Sequence, residues 1–240
     1  MIVGPTGSGK TDAAVRIARQ VGGEIISADS RTIYEGMDIG TAKPTLSEQG
    51  GVVHYGFDLV KPGERFTVAD FKEYTEQKIR TIKSSGKIPM VVGGTGLYID
   101  ALVFDYSFSE EAKKNYTDRA SQSNEYVVFG IKVDTEMLRE RLTRRIDKMF
   151  TQELFSETRE LAERYGWDNQ AMKGNIYKYA WKYMNGELEL EKAKELAVLD
   201  DYHLAKRQMT WFKRNKNIIW VSLENLEEFV LKYIGNEYKK

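Results

Sequence analysis

A glycine-rich segment near the start of the chain has the residue types and spacing of a phosphate-binding loop. Residues 4–11 read GPTGSGKT and fit G-x-x-x-x-G-K-[ST] between a predicted strand and a predicted helix. Glycines let backbone N–H groups surround one anion, Lys10 adds a positive charge, and the Thr11 hydroxyl can bind Mg²⁺. The alternative is a glycine turn that only caps the helix. The predicted anion-binding set is Gly4, Pro5, Thr6, Gly7, Ser8, Gly9, Lys10 and Thr11.

The strand that would carry the metal-binding carboxylate of a nucleotide hydrolase ends in glycines instead. In hydrolases with this loop, a later apolar strand commonly ends in an acidic residue. Here residues 89–92, PMVV, run into GGTG at residues 93–96. This disfavours nucleotide hydrolysis, although kinases of small molecules can place acidic groups differently.

A carboxylate follows the second predicted strand. Residues 25–30 read IISADS, which puts Asp29 at the carboxyl end of a strand, where open α/β sheets form their binding crevices. Asp29 could accept a proton or hold a metal there; alternatively, it caps the next turn. Residues 34–44, YEGMDIGTAKP, favour a shaped active-site loop beside that edge, with a plain surface loop as the competing interpretation.

An alternation of short apolar runs with amphipathic segments indicates the scaffold for these residues. It predicts an α/β fold like that of P-loop NTPases, a parallel sheet flanked by helices with a helical C-terminal region. We divide the chain into a first part of the core at 1–105, a shortened insertion or linker at 106–125, and the rest of the core with its helices at 126–240. Predicted strands lie at 1–3, 24–27, 52–60, 89–92, 126–133 and 217–222, and predicted helices at 11–20, 68–84, 135–165, 171–185, 190–199, 202–214 and 226–238.

The composition excludes several kinds of chemistry. The 240 residues contain no cysteine and two histidines, so a disulfide, a thiolate zinc site and a cysteine nucleophile are ruled out. The chain has 36 basic and 36 acidic residues, so it has no net charge that would attract a polyanion such as a nucleic acid. The chain has neither a long apolar stretch nor a signal-like start, so we expect a cytoplasmic protein without a membrane partner.

Five motifs in order along nearly the whole chain resemble the tRNA dimethylallyltransferases. They are GPTGSGKT at 4–11, ISADSRTIYEGMDIGTAKP at 26–44, VADF at 68–71, GKIPMVVGGTGLY at 86–98 and AKRQMTWFKR at 205–214. The resemblance implies transfer of the allyl group of dimethylallyl diphosphate to N6 of an adenine beside the anticodon of tRNA. The glycine-rich loop would then bind a diphosphate rather than a nucleotide, in agreement with the missing carboxylate.

The same resemblance assigns roles to individual residues. It implies that Asp29 is the base that acts on the adenine amino group and that Lys10, Thr11 and Arg141 are further catalytic residues. Thr11 would also bind Mg²⁺. Arg141 and Arg145, four residues apart on one helix face, would close over the diphosphate; alternatively, they belong to an exposed charged helix. The residues implied in tRNA binding are Asp29, Ser30, Arg31, Thr32, Thr95, Lys173, Lys178, Lys206, Arg207 and Gln208.

Two stretches without acidic residues, 169–186 and 203–217, combine basic and aromatic side chains. Such side chains suit phosphates and unstacked bases of RNA, although Tyr177, Trp181 and Tyr183 are spaced as core residues, and Trp211 and Phe212 fit the core better. The family's helical insertion, which clamps the anticodon stem-loop, is reduced here to about twenty polar residues after GGTGLY. This departure leaves a free adenine nucleotide open as the acceptor. An ATP-dependent kinase or nucleotide-triggered binding module is a third interpretation, and a monomer is expected.

Overall fold

In a computed structural model, residues 1–106 and 125–237 are described, and their strands form a single parallel sheet. The strands are β1 (Ile2–Val3), β2 (Gly23–Ala28), β3 (His54–Tyr55), β4 (Ile88–Gly93), β5 (Phe129–Lys132) and β6 (Ile219–Ser222). The helices are α1 (Lys10–Val21), α2 (Leu46–Gln49), α3 (Val68–Ser84), α4 (Gly96–Val103), α5 (Thr135–Met149), α6 (Gln152–Tyr165), α7 (Asn175–Met184), α8 (Leu190–Phe212) and α9 (Leu223–Glu237). The predicted α/β class is confirmed.

The strand order, β3-β2-β4-β1-β5-β6, places three functional loops side by side. Val3 of β1 and Ala28 of β2 both pair with Gly93 of β4, so these three strands end at one level. The glycine-rich loop, Asp29 and the GGTG segment therefore leave the same edge of the sheet, where open α/β sheets form their crevices.

Apolar side chains cover both faces of the sheet. One face packs against α1 and α9 through residues such as Ile17 and Leu226, and the other packs against α3, α4 and the end of α8 through Phe71, Leu102 and Phe212. A third cluster joins α5, α6, α7 and α8 to the loop that contains Met37. Residues of helices α7 and α8 in this layer line the crevice at the carboxyl edge of the sheet.

The structure divides one predicted helix, 135–165, into two and joins two predicted helices, 190–199 and 202–214, into one, so these three predictions were wrong. The first is two helices, because the buried Phe150 ends α5 and extended Thr151 precedes α6. The other two are one helix, α8, since Asp200 and Asp201, which have low helix propensity, are held by contacts with α7. The division at 106–125 stays a prediction, because residues 107–124 lie outside the described part of the chain.

Two further boundaries were wrong. The strand predicted over 52–60 is reduced to His54–Tyr55, since Gly56 turns away at φ 89° with Ser27 packed against it. The helix predicted from 171 begins at Asn175, because the Asn169 side chain accepts the backbone N–H groups of Ala171 and Met172 in a turn. Helix α4, which begins at the last glycine of the GGTG segment, was not predicted.

Candidate functional site

A cavity of about 420 Å³ lies where the three loops meet the helical layer. Lys10, Asp29, Thr95 and Arg145 line it together with residues of α7 and α8. A smaller cavity of about 100 Å³ adjoins it and shares Lys10, Asp29 and Arg145 with it. The predicted anion-binding and proton-accepting residues thus occupy one continuous region.

The glycine-rich loop has the backbone conformation that anion binding requires. Gly7 and Gly9 have φ of 74° and 82°, which L side chains rarely adopt, and Gly9 caps the start of α1. The amino terminus of a helix attracts anions because its first N–H groups have no partners within the helix. The Ser8 hydroxyl is buried with no hydrogen-bond partner among the described residues, which fits a loop shaped for a group that is not part of the chain.

Lys10 stands inside this loop, and no carboxylate of residues 1–106 or 125–237 forms an ion pair with it. Its ammonium donates to the backbone oxygen of Pro5 at 3.3 Å. Burial lowers the pKa of Lys10 to about 8, with Asp29 acting in the opposite direction and Arg145 adding to the lowering. A bound diphosphate would compensate this charge and raise the pKa of Lys10 again.

The two arginines predicted on one face of α5 contact different residues of the glycine-rich loop. Arg145 donates to the Thr6 hydroxyl and lines both cavities, and its buried Nε has no partner among the described residues. Arg141 donates to the backbone oxygen of Ser8 at 3.2 Å and lines a separate cleft with Gly7 and Gly9. Arg145 is therefore placed for a ligand of the main cavity, whereas Arg141 lines only the separate cleft, which Arg145 also borders.

Asp29 begins a turn that also orients its neighbours. Its Oδ1 accepts the backbone N–H of Arg31 at 2.8 Å, so the capping interpretation is correct alongside the cavity position. The Thr95 hydroxyl accepts the N–H of Ser30 at 3.0 Å and links the loops after β2 and β4. Thr32 is buried, with its hydroxyl 3.2 Å from that of Ser27, and lines only the smaller cavity.

The loop at residues 34–44 is a shaped wall of the cavity, as one interpretation of the sequence held. Met37, Gly40 and Thr41 line the cavity. Lys43, whose side chain is 7% exposed, holds the loop through ion pairs with Asp38 and Asp58 at 2.5 and 2.6 Å.

A glutamate of α6, which the sequence analysis missed, fixes the same loop. The carboxylate of Glu157 accepts the N–H groups of Asp38, Ile39 and Gly40 at 3.2, 2.8 and 2.9 Å, and the Tyr177 hydroxyl at 2.6 Å. Burial, reinforced by Glu157, raises the pKa of Tyr177. No motif marks Glu157 in the sequence, because three of its partners are backbone groups about 120 residues away and the fourth is a tyrosine of another helix.

Helix α8 brings its predicted tRNA-binding residues to the cavity with different roles. Gln208 accepts the N–H of Thr6 at 2.8 Å and so supports the glycine-rich loop. Arg207 is exposed and lines the cavity, and Lys206 is exposed beside the Tyr202 ring. Trp211 donates to Asp100 at 2.9 Å and Phe212 is buried, so their expected core positions hold.

Helix α7 uses most of its basic and aromatic residues within the protein. Lys178 pairs with Asp200 at 3.2 Å, Tyr177 is 1% exposed, and Trp181 stacks on Trp167 with ring centroids 4.5 Å apart. Lys173, just before the helix, is exposed. The buried interpretation is therefore correct for Tyr177, and Lys173 is a freer candidate for RNA than Lys178.

Two polar residues of the helical layer line the main cavity and were not singled out from the sequence. Asp201, in the middle of α8, is 5% exposed, and its Oδ1 accepts the side-chain amide of Asn175 at 3.2 Å. Burial is the main cause of a raised pKa of Asp201. Asp201 lies between the predicted helices at 190–199 and 202–214, and an acidic residue there gives no sign that it faces a cavity.

The described residues contain no cluster of three or more His, Cys, Asp or Glu side chains that could hold a metal. A divalent cation here would need oxygens from its ligand and water in addition to the Thr11 hydroxyl, which is how Mg²⁺ is commonly held beside phosphates. None of the helices in the described part of the chain has the length and apolar character that crossing a bilayer requires.

Comparison with known protein families gives matches over nearly the whole chain. A family model described as IPP transferase matches residues 32–125 and 107–215, and one described as isopentenyl transferase matches residues 1–55. The tRNA dimethylallyltransferase of Acetivibrio thermocellus is 36% identical over 291 residues, covering 95% of this chain and 92% of its own. Because this alignment is longer than the chain, the relative contains residues that have no counterpart here.

Two solved structures share the fold. The tRNA isopentenylpyrophosphate transferase of Bacillus halodurans matches with a TM-score of 0.85 and 29% identity, and the tRNA delta(2)-isopentenylpyrophosphate transferase of Staphylococcus epidermidis with 0.84 and 30%. Each match covers 99% of this chain and 97% of the other.

Proposed function

Because this chain belongs to the IPP transferase family, we propose that its cavity transfers a dimethylallyl group from dimethylallyl diphosphate to N6 of a tRNA adenine beside the anticodon. One observation carries the proposal: the glycine-rich loop, Lys10 and Arg145 share a cavity with Asp29. The loop, Lys10 and Arg145 suit a diphosphate, and Asp29 provides a proton acceptor in the same cavity. The relatives are named as tRNA dimethylallyltransferases, which leaves the kinase interpretation without support from them.

The reaction follows from this arrangement of charge. The allylic C–O bond of the donor breaks, and its electron pair leaves with the diphosphate toward Lys10, Arg145 and the N–H groups at the start of α1. The lone pair of N6 forms the new C–N bond, and Asp29 takes one N6 proton. General-base catalysis of this kind contributes about 10²–10⁴-fold to a rate.

The apolar lining of the cavity protects the reacting carbon. Met37, Leu97, Ile176 and Leu204 lie in its wall. Water would compete with N6 for the allylic carbon, so its exclusion favours transfer over hydrolysis.

Mg²⁺ fits this site as a companion of the donor. The Ser8 hydroxyl and Arg145 Nε, which have no hydrogen-bond partner within the described part of the chain, indicate room for an anion. Thr11 would hold the ion together with diphosphate oxygens. When bound, the ion would supply charge that stabilises the leaving diphosphate.

We place the anticodon loop over the open side of the cavity. Arg31 and Arg207 line the cavity, and Lys173 and Lys206 are exposed. Gln208 also lines the cavity, but its side chain accepts the Thr6 N–H. Arg141, Thr32 and Lys178 make contacts within the protein. A tRNA substrate implies a compartment that contains tRNA, so we propose the cytoplasm. The monomeric state remains a prediction.

A free adenine nucleotide is the second candidate acceptor. The longer relative and the two overlapping family matches at 107–125 support a reduction of the chain in that region, where the family's clamp is expected. Labelled dimethylallyl diphosphate with unmodified tRNA and Mg²⁺ should give labelled tRNA. If AMP or ADP is supplied as well and only the nucleotide becomes labelled, the acceptor is the free nucleotide and not tRNA.

Asp29→Asn should abolish transfer while leaving donor binding largely intact, because the amide cannot accept the N6 proton. Asp168→Asn, which changes an exposed acidic residue, is the control. An Asp29→Asn variant that works near the wild-type rate would remove Asp29 from the mechanism.

A further inference from the structure

The carboxyl group of Asp201 is a buried acidic group that the proposed reaction does not use. It faces the main cavity from α8, and among residues 1–106 and 125–237 no lysine or arginine lies within ion-pair distance of it. Within the same residues, its one hydrogen bond comes from the Asn175 amide at 3.2 Å. A carboxylate removed from water with one donor is left short of partners.

The neighbouring Asp200 shows what a compensated carboxylate on this helix looks like. Asp200 accepts from Lys178 at 3.2 Å and from the Tyr179 hydroxyl at 2.7 Å, and its pKa is lowered. The pKa of Asp201 is instead raised, chiefly by burial, with Asp200 and Asp29 adding to the effect and Arg145 opposing it. A ligand of the cavity that brings an N–H donor would supply what Asp201 lacks.

Asn175 completes a pair of complementary groups. One N–H of its amide is directed at Asp201, which fixes the orientation of the amide and leaves its second N–H for another acceptor. Both side chains line the cavity, so the pair presents a carboxylate acceptor next to an amide donor.

We propose that Asn175 and Asp201 recognise the acceptor base as adenine. Asp201 accepts the N6 proton that adenine keeps during transfer, and Asn175 donates to the ring nitrogen beside the amino group, while Asp29 takes the other N6 proton. This inference rests on the proposed function, since it names the base-reading groups of the same site.

The pair also disfavours guanine. Guanine has an oxygen at the position of the adenine amino group, and that oxygen would face the carboxylates of Asp201 and Asp29. A well-placed pair of hydrogen bonds to a base edge gives about 1–3 kcal/mol of discrimination, or roughly 5- to 150-fold in affinity.

The test measures binding without chemistry. Two RNA anticodon stem-loops, with adenine or guanine at the target position, are titrated against donor-free protein. Wild-type protein should prefer the adenine stem-loop by about tenfold or more. Asp201→Asn should weaken binding of the adenine stem-loop and strengthen binding of the guanine one, because an amide can donate to the guanine oxygen.

The matched control is Asp200→Asn, which removes the same charge from the same helix and should keep the wild-type preference. A structural role of Asp201 alone would weaken binding of both RNAs together, and that result overturns the inference. An unchanged preference in Asp201→Asn also overturns it. Wild-type protein that binds neither stem-loop refutes the tRNA acceptor as well, whereas wild-type binding and transfer with no effect of Asp201→Asn refutes the inference alone.

Asn175→Leu gives an independent readout. With 1-deazaadenine or 7-deazaadenine at the target position, wild-type protein should lose affinity for the RNA that lacks the nitrogen read by Asn175. The variant should bind that RNA and the adenine RNA equally. A variant that still distinguishes them, or wild-type protein indifferent to both replacements, contradicts the role of Asn175.

Discussion

Lys10→Met should make the protein without its ligands more stable at neutral pH while abolishing donor binding. The ammonium is held inside the glycine-rich loop with a pKa near 8 instead of 10.5. One pKa unit corresponds to about 1.4 kcal/mol, and the side chain keeps some contact with solvent, so we expect a gain of roughly 2 kcal/mol.

The sign of the pH dependence follows from proton binding. Between about pH 8 and 10.5 the unfolded chain keeps the Lys10 proton that the folded chain has lost. Stability of the wild-type protein therefore rises with pH across this window, and the cost of Lys10 is complete below it.

Urea unfolding at pH 7 and near pH 10 measures this effect. The advantage of Lys10→Met should be largest at pH 7 and shrink as the pH approaches 10.5. Lys83→Met, at an exposed position, should show no such trend. A Lys10→Met protein that is less stable than wild type at pH 7 would refute the idea that Lys10 adds an uncompensated charge to the protein without its ligands.

Three further substitutions test the walls of the cavity. Glu157→Ala should lower the free energy of unfolding by about 3 kcal/mol, because several partly buried donors lose a charged acceptor, and it should raise the KM for tRNA. Glu160→Ala changes an exposed residue about one helical turn further along α6 and should have neither effect in the same urea and kinetic assays. Gly40→Ala should raise that KM strongly, since its Cβ would lie 2.3 Å from Cζ of Tyr177, while Gly235→Ala, which meets nothing within 4 Å, should not. Gln208→Leu should weaken donor binding measured by calorimetry, because the Thr6 N–H loses its acceptor; unchanged affinity would contradict a supporting role.

The parts of the site that the sequence predicts are those made by neighbouring residues. The glycine-rich loop needs only a strand, a turn of permissive residues and a helix start, all within residues 2–21. Asp29 is predictable in the same way, because the end of a parallel strand fixes its edge of the sheet. Helix α3 agrees with its predicted bounds, since the Thr67 cap and the Gly86 stop are local signals.

The residues that the sequence did not reveal act across long separations. Glu157 is recognisable only once the backbone of residues 38–40 lies against α6. Asp201 appears as a helix breaker until its contact with Asn175 is known, which is also why α8 was divided in two. The roles expected of Lys178 and Gln208 followed their charge and polarity, and the structure gives both of them partners inside the protein.

The hydrogen bond from Thr6 to Gln208 has a consequence for synthesis of the chain. Its two ends are 202 positions apart, so a ribosome has made most of the polypeptide before the first functional motif receives its support. Shortened products that end before α8 would contain the whole glycine-rich loop but would lack the hydrogen bond from Gln208 that supports it. Competence to capture the isoprenoid donor thus arrives late in translation, together with the surface proposed to meet tRNA.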